Sequence, residues 1–229
     1  TPLKDRYGAQ IRTHYPLQVD QEIQIMEQEA AIAEMGDYHL DVPVFMKEIV
    51  AEITHHARRS PDINQRSGVS VRTSIALYEA LMANAFRRAL RTGESEVVPR
   101  ISDLPFILPS FQGKVEFEAM EEGQEDRITE RIVSSAVKAV FDRYFDVNDL
   151  ESVAAAFGGE LTIETSESSP AEDYVPKAEK LPGIDDVYPN PDRISPGRRA
   201  ATIEFVLEGL HLHKLLNKHD HSGRSVYTG

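Results

Sequence analysis

The stretch SGVSVRTSIALYEALMANAFRRALR, residues 67–91, predicts a long amphipathic helix. Gly68 and Ser70 are residue types that commonly precede a helix. The apolar side chains that recur along one side are Val71, Ile75, Tyr78, Met82 and Ala85. Arg72 is unexpected in the opening turn, because the partial positive charge of a helix N-terminus repels cations. This cost suggests that a ligand holds the arginine there.

Other patterns before this stretch also indicate helices. Residues 19–35 are rich in strong helix formers, and Gly36 follows them as a stop signal. Pro43 stands at a first helical position, and the apolar residues that follow it at helical spacing are Phe45, Met46, Ile49, Val50 and Ile53. Residues 9–17 alternate loosely up to a proline, which predicts a short strand. We therefore expect a tight helical domain over residues 19–98.

A second, mostly helical region is predicted for residues 99–164. Residues 114–118 alternate like a short strand, and helical patterns cover residues 126–145 and 147–159. The fold class predicted for the whole chain is therefore mainly α.

The remaining sequence predicts less regular structure. Residues 165–199 are acidic and contain six of the thirteen prolines, which indicates an irregular connector. Residues 200–229 predict one more amphipathic helix followed by a frayed tail.

Composition limits the class of protein. Of the 229 residues, 41% are hydrophobic and 28% are charged, which suits a soluble globular protein. The chain has no cysteine, no apolar run long enough for a membrane helix and no signal peptide. A cytoplasmic protein without membrane partners fits these features best.

The negative charge of the chain is concentrated in one part. Residues 94–186 hold 22 acidic and 8 basic side chains, a net charge of −14, whereas the whole chain carries −13. Acidity on this scale disfavours nonspecific nucleic-acid binding, so no nucleic-acid partner is predicted. A solvated acidic surface is the simplest interpretation of this segment.

The sequence shows no complete catalytic motif. It contains neither a GxxxxGK[ST] phosphate loop nor a GxSxG nucleophile elbow. The acidic pair Glu121 and Glu122 lies in a polar run that offers no pocket to separate two pKa values, so a solvated loop is predicted. No metal site is expected, because the histidines near the end lack converging partners and are predicted at the surface: His211, His213, His219 and His221.

Two arginine segments, taken together, resemble a known family. Arg6 lies in LKDRYGAQIR, ahead of the predicted strand, and Arg72 opens the helix in GVSVRTSIALYEAL after further helical elements. In order and spacing, residues 1–93 resemble the carboxyl half of a AAA+ ATPase. Within that superfamily they are most similar to the magnesium-chelatase ATPase subunit and its MoxR-type relatives.

The resemblance implies roles for particular residues. Asp5-Arg6-Tyr7-Gly8 matches a DRFG-like segment that carries the arginine finger, with tyrosine in place of the more usual phenylalanine. The G-x-S-x-R segment that carries the sensor-2 arginine is matched by Gly68, Ser70 and Arg72. Arg6 and Arg72 would then be catalytic, and the second segment would bind nucleotide.

The resemblance also implies an architecture and partners. Residues 1–18 would end the nucleotide-binding core with its last strand, and residues 19–98 would be the helical lid. The cofactors would be ATP and Mg²⁺, held mainly by phosphate-binding and magnesium-binding segments that precede the arginine finger in this family. The partners would be other copies in a ring, usually six-membered, and a von Willebrand A-domain protein. ATP hydrolysis would drive metal chelation or remodelling of a client protein.

An alternative from another class stays open. The chain could be an acidic helical interaction module that docks a basic partner and performs no nucleotide chemistry. A GxxxxGK[ST] segment upstream in the reading frame would favour the ATPase, and its absence would favour the module.

Overall fold

The computed structural model shows a chain built mainly of helices with two small sheets. The described residues are 6, 8–9, 11–32, 36–118, 123–159, 161–188, 194–221 and 223–229. Their α-helices are α1 (Val19–Glu29), α2 (Val44–Arg59), α3 (Val71–Thr92), α4 (Leu108–Gln112), α5 (Gln124–Tyr144), α6 (Glu151–Ala155), α7 (Ala171–Ala178) and α8 (Pro196–Leu212). Their strands are β1 (His39–Leu40), β2 (Glu96–Val97), β3 (Ile163–Ser166), β4 (Asn217–His221) and β5 (Arg224–Thr228). The predicted mainly α fold class is confirmed.

The two sheets join distant parts of the chain. β1 and β2 pair in parallel, so they connect the chain before α2 with the chain after α3. The second sheet is antiparallel with the order β3-β5-β4. Its central residue Tyr227 lies between Ile163 and Lys218, and its buried hydroxyl donates to Glu208 Oε2 of α8 at 2.7 Å. This hydrogen bond ties the second sheet to α8.

The first three helices pack against one another as their apolar patterns predict. The apolar residues predicted to face inward from α2 are all buried: Phe45, Met46, Ile49, Val50 and Ile53. α3 ends at Gly93, whose φ of +75° suits a left-handed C-cap. α1 ends at Glu29, earlier than predicted, because the chain turns and the Ala31 amide donates to Glu79 of α3 at 2.8 Å. The last predicted residues of that helix, 33–35, lie outside the described ones.

The strand predicted near the amino terminus is not formed. Residues 11–16 have no regular secondary structure, and Ile11 and Leu17 are 87% and 74% exposed. A strand needs a neighbouring strand for its backbone hydrogen bonds, and none of the described strands pairs with this segment. The prediction of a strand over residues 9–17 is therefore wrong for its described part.

α8 lies at the centre of the carboxyl half. Residues 200–210 are all buried, so this helix is buried on every side instead of being amphipathic as predicted. Phe205 stacks on Phe45 of α2 with ring centroids 4.5 Å apart, and it meets Phe141 of α5 edge-on at 5.7 Å. α8 therefore links the first helices with the second helical region.

The described part of the segment predicted as an irregular connector, residues 165–188 and 194–199, is folded. Within residues 165–199 the structure contains α7 and a 3₁₀ turn over Ile184–Val187. Its buried apolar residues are Ala171, Tyr174, Val175, Ala178, Leu181, Ile184, Val187 and Tyr188. Pro170 precedes α7 as its N-cap, where no backbone N–H is needed. Pro176 lies within α7 and removes one helical hydrogen bond, so the helix ends two residues later, at Ala178. The connector prediction is wrong because these apolar residues are part of the core.

Three smaller predictions also change. The tail after α8 is a β-hairpin, since β4 and β5 pair over five residues and β5 also pairs with β3. Residues 147–159 form a 3₁₀ turn over Val147–Leu150 and then the short α6 instead of one helix. The strand predicted over residues 114–118 is reduced to a single antiparallel bridge between Ile63 and Phe117.

Gly209 allows the closest approach between α5 and α8. A Cβ atom at this position would collide with the ring of Phe141, which is fully buried. We expect Gly209→Ala to lower the free energy of unfolding by about 1–3 kcal/mol, as overpacking of a core does, although alanine favours a helix over glycine. Urea unfolding would measure the change.

The matched control is Gly159→Ala. A Cβ atom there meets no atom within 4 Å, so the expected change is within about 0.5 kcal/mol. If Gly209→Ala were as stable as the parent, the two helices would not pack this closely.

Candidate functional site

The start of α3 has the local structure that its sequence predicts. Gly68 has φ +71°, a conformation that favours glycine, and Ser70 is extended before the helix begins at Val71. The Ser70 side chain does not cap the helix, and the first turn contains no acidic residue. The positive end of the α3 dipole is therefore not neutralised by its own first turn.

Arg72 is the second residue of α3, as predicted, and its side chain is exposed. No hydrogen bond or ion pair joins it to any described residue, so its guanidinium is available to a ligand. An arginine beside uncapped backbone N–H groups suits an anion with several oxygens. The guanidinium and the N–H groups are both hydrogen-bond donors, and both attract negative charge.

A buried ionic cluster lies directly behind this turn, and sequence reasoning did not find it. Arg58 of α2 donates to both oxygens of Glu22 of α1, at 2.8 and 3.0 Å, and its Nε donates to the Val69 carbonyl at 2.9 Å. Ser74 Oγ of α3 donates to Glu22 Oε1 at 2.6 Å. The signal in the sequence is the spacing of Glu22 and Met26, which are four residues apart and therefore lie on the same side of a helix. In the structure both residues are buried.

The environment of Glu22 keeps its carboxylate charged. Burial raises the pKa of Glu22, but the neighbouring His55, Arg58 and Ser74 lower it more strongly, and the pKa falls to about 2. His55 Nε2 lies 3.7 Å from Glu22 Oε2. The carboxylate is therefore ionised at neutral pH and pairs with the Arg58 guanidinium.

Tyr15 covers the outer side of this cluster. The Arg58 guanidinium carbon lies 4.6 Å from the centre of the Tyr15 ring. A Cβ atom on Gly68 would lie only 2.5 Å from the Tyr15 hydroxyl oxygen, so the Tyr15 side chain would have to move; the positive φ is what favours glycine there. The segment before α1 thus contacts the loop that leads into α3.

Arg6 is not brought into this cluster. It is exposed, and no hydrogen bond or ion pair joins it to the described residues. Its motif neighbours Asp5 and Tyr7, and the acidic pair Glu121 and Glu122, lie outside the described residues. Among the described residues, no hydrogen bond or ion pair links Arg6 to the residues around Arg72.

A second buried ionic cluster joins α3 to the carboxyl half. Arg88 donates to Glu94 at 2.5 Å and to both oxygens of Asp103 at 3.2 and 3.1 Å. Arg100 also donates to Glu94, and Tyr174 donates to Glu204 at 2.5 Å. Glu94 and Asp103 belong to the acidic segment of residues 94–186. The prediction that this segment is a solvated surface is wrong for these two carboxylates, because buried arginines pair with both.

Glu94 and Glu204 of the second cluster have opposite pKa shifts. Burial raises the pKa of Glu94, but Arg100 and Arg88 together lower it by more, so the pKa lies below its usual value. Burial dominates at Glu204 and raises its pKa despite the neighbouring Arg100. Their partners are other protein side chains and backbone groups, so we assign this cluster to stability.

The histidines near the end do not form a metal centre. His219 and His221 are exposed on β4 as predicted, but His211 and His213 are partly buried. His213 Nε2 lies 2.6 Å from Asp142 Oδ1 of α5. Among the described residues, no three histidine, aspartate or glutamate side chains are grouped so that they could hold a metal ion.

Comparison with known proteins finds no match to this chain among protein-family models, curated proteins or solved structures. Within the described part of the chain, no helix is long and apolar enough to cross a membrane.

Proposed function

We propose that this chain is the carboxyl-terminal portion of a AAA+ ATPase that resembles the magnesium-chelatase ATPase subunit. The observation that carries the proposal is the exposed Arg72 in the first turn of α3, where it has no partner among the described residues and Ser70 does not cap the helix. An arginine that is unfavourable in an isolated helix becomes favourable when a phosphate group lies in front of it.

Phosphoryl transfer explains why an arginine is needed. The reaction develops charge on the oxygens of the transferred phosphoryl group, and enzymes stabilise that charge with positioned cations. The planar guanidinium of Arg72 can bind two phosphate oxygens at once. Arg72 would act on ATP bound by its own subunit.

Arg6 has a different role in the proposal. It would act as an arginine finger, so it would reach the ATP of a neighbouring subunit instead of its own. Its exposure and its lack of a partner among the described residues fit this role. The protein would then form a ring and work with a von Willebrand A-domain partner on metal chelation or on a client protein.

Some of the ATPase machinery must come from outside these residues. The 229 residues contain no GxxxxGK[ST] segment that could hold the phosphates of ATP with its Mg²⁺. In the proposed protein this loop and the magnesium-binding carboxylates lie amino-terminal to Arg6.

Mixed rings test the proposal as a whole. The full-length Arg6→Ala variant and a variant without the phosphate-loop lysine should each be nearly inactive alone, but mixing them should partly restore ATP hydrolysis. Recovery is expected because some interfaces then combine an intact pocket with an intact Arg6 from the neighbour. Steady-state phosphate release measures it, and pull-down of differently tagged subunits confirms mixing.

The same mixing with Arg72→Ala is the control. It should restore nothing, because each pocket then lacks either Arg72 or the lysine. No recovery with Arg6→Ala in confirmed mixed rings would contradict the role of Arg6. An encoded protein without a phosphate loop or ATP hydrolysis would favour the interaction module.

A further inference from the structure

Arg72 lies between two points at which α3 is held to the rest of the helical region. The first is the Val69 carbonyl, three residues before it, which accepts from Arg58 Nε at 2.9 Å. The second is Ser74 Oγ, two residues after it, which donates to Glu22 at 2.6 Å. Both points converge on the Arg58–Glu22 pair.

We propose that Arg58 is a positioning residue for Arg72. Its fork binds the Glu22 carboxylate and its Nε binds Val69, so that one side chain holds α1, α2 and the start of α3 together. The inference rests on the proposed function in that Arg72 is taken to contact the nucleotide. Arg58 acts only through Arg72, because its side chain is only 11% exposed and the three hydrogen bonds that it donates go to protein groups.

Burial and charge make this arrangement rigid. Glu22 is fully buried. Displacing Arg58 would leave the charge of Glu22 buried without compensation, which strongly destabilises a fold. Arg58 also lies beneath the Tyr15 ring, which limits the directions that its guanidinium can take. Movement of the α3 start would therefore break hydrogen bonds to a buried carboxylate.

Lysine cannot reproduce this geometry. An ammonium group can pair with Glu22, but it has one nitrogen in place of the three guanidinium nitrogens that reach Val69 and the two Glu22 oxygens separately. Arg58→Lys thus keeps the charge and weakens the link to the α3 start. A shift of about 1 Å in a catalytic group can cost up to a hundredfold in rate.

A double-mutant comparison tests the inference in the full-length protein. Arg58→Lys should lower kcat for ATP hydrolysis about tenfold with little change in KM, because Arg72 acts mainly in the transition state. In an Arg72→Ala background, the same change should lower kcat by less than twofold, because nothing remains to be positioned.

Arg59→Lys is the matched control. Arg59 is the next residue of α2, 65% exposed, and only a 3.6 Å ion pair joins it to Glu52. It should leave kcat within twofold in both backgrounds. Equal losses from Arg58→Lys in both backgrounds, or no loss in either while Arg72→Ala is impaired, would overturn the inference.

Hydrogen exchange tests the same inference without ATP. In the 229-residue chain, Arg58→Lys should make the amides of residues 73–77 exchange at least tenfold faster, while those of α5 stay unchanged. Ser74→Ala, a milder change, should act on the same amides if Arg58→Lys fails to fold. Unchanged exchange at residues 73–77 would overturn the inference. Faster exchange with no effect of Arg72→Ala on kcat would instead contradict the proposed function alone.

Discussion

Under the proposed function, Arg72→Ala is expected to lower kcat for ATP hydrolysis by the full-length protein roughly ten- to thousandfold. A single contact to the charge that develops in the transition state is typically worth this much. KM should change less, because the arginine contributes most when charge builds on the transferred group. Steady-state phosphate release at saturating ATP and Mg²⁺ measures the change.

Two further variants make this result specific. Arg72→Lys should recover only a small part of the activity, because an ammonium group lacks the bidentate fork. Arg127→Ala is the matched control, since Arg127 is also an exposed arginine near the start of a helix, α5. It should leave kcat within twofold. The sensor assignment fails if Arg72→Ala behaves like this control.

Asp103→Asn is expected to lower the free energy of unfolding by about 3–5 kcal/mol. Its carboxylate accepts from Arg88, from Asn84 Nδ2 at 2.8 Å and from the Arg100 amide at 2.9 Å. The substitution removes one of the two carboxylates that pair with Arg88, whose side chain is 1% exposed, and Glu94 remains as the other. It also puts an NH₂ group, which cannot accept, in place of an oxygen that accepts from a charged guanidinium or a buried amide, and each hydrogen bond of a charged group that is lost costs about 1.5–3 kcal/mol. Urea unfolding followed by circular dichroism measures the loss.

Asp149→Asn serves as the control for that measurement. Asp149 is exposed in the 3₁₀ turn Val147–Leu150, so the expected change is within about 0.5 kcal/mol. Similar stabilities of the Asp103→Asn and parent proteins would show that the second ionic cluster contributes little. A smaller slope of the free energy of unfolding against urea concentration would instead indicate a changed unfolded state.

The long helices are the part of the fold that periodicity predicted well. α3 and α5 begin and end close to the predicted residues, because each combines apolar residues at helical spacing with local start or stop signals. Those signals act within a few residues of each other, so they can be read without knowing what packs against the helix.

Segments that depend on distant partners were predicted poorly. Residues 11–16 alternate like a strand, but none of the described strands lies beside them. The tail after α8 forms a hairpin, and β3 pairs with its second strand, β5. Residues 165–199 read as a connector because of their prolines and acids. Their apolar side chains are buried because α8 and β3 pack against α7.

For the candidate site, the sequence by itself determined that Arg72 opens α3, because Gly68 and Ser70 set the start of that helix locally. It also determined that most of the chain is helical. Only the tertiary structure decided that Glu22 and Arg58 hold the start of α3, since these residues are 36 positions apart and meet through packing of α1 against α2. A buried charge and a solvated charge look alike in a sequence. Their difference arises from desolvation and a matched partner, which exist only once the helices have packed.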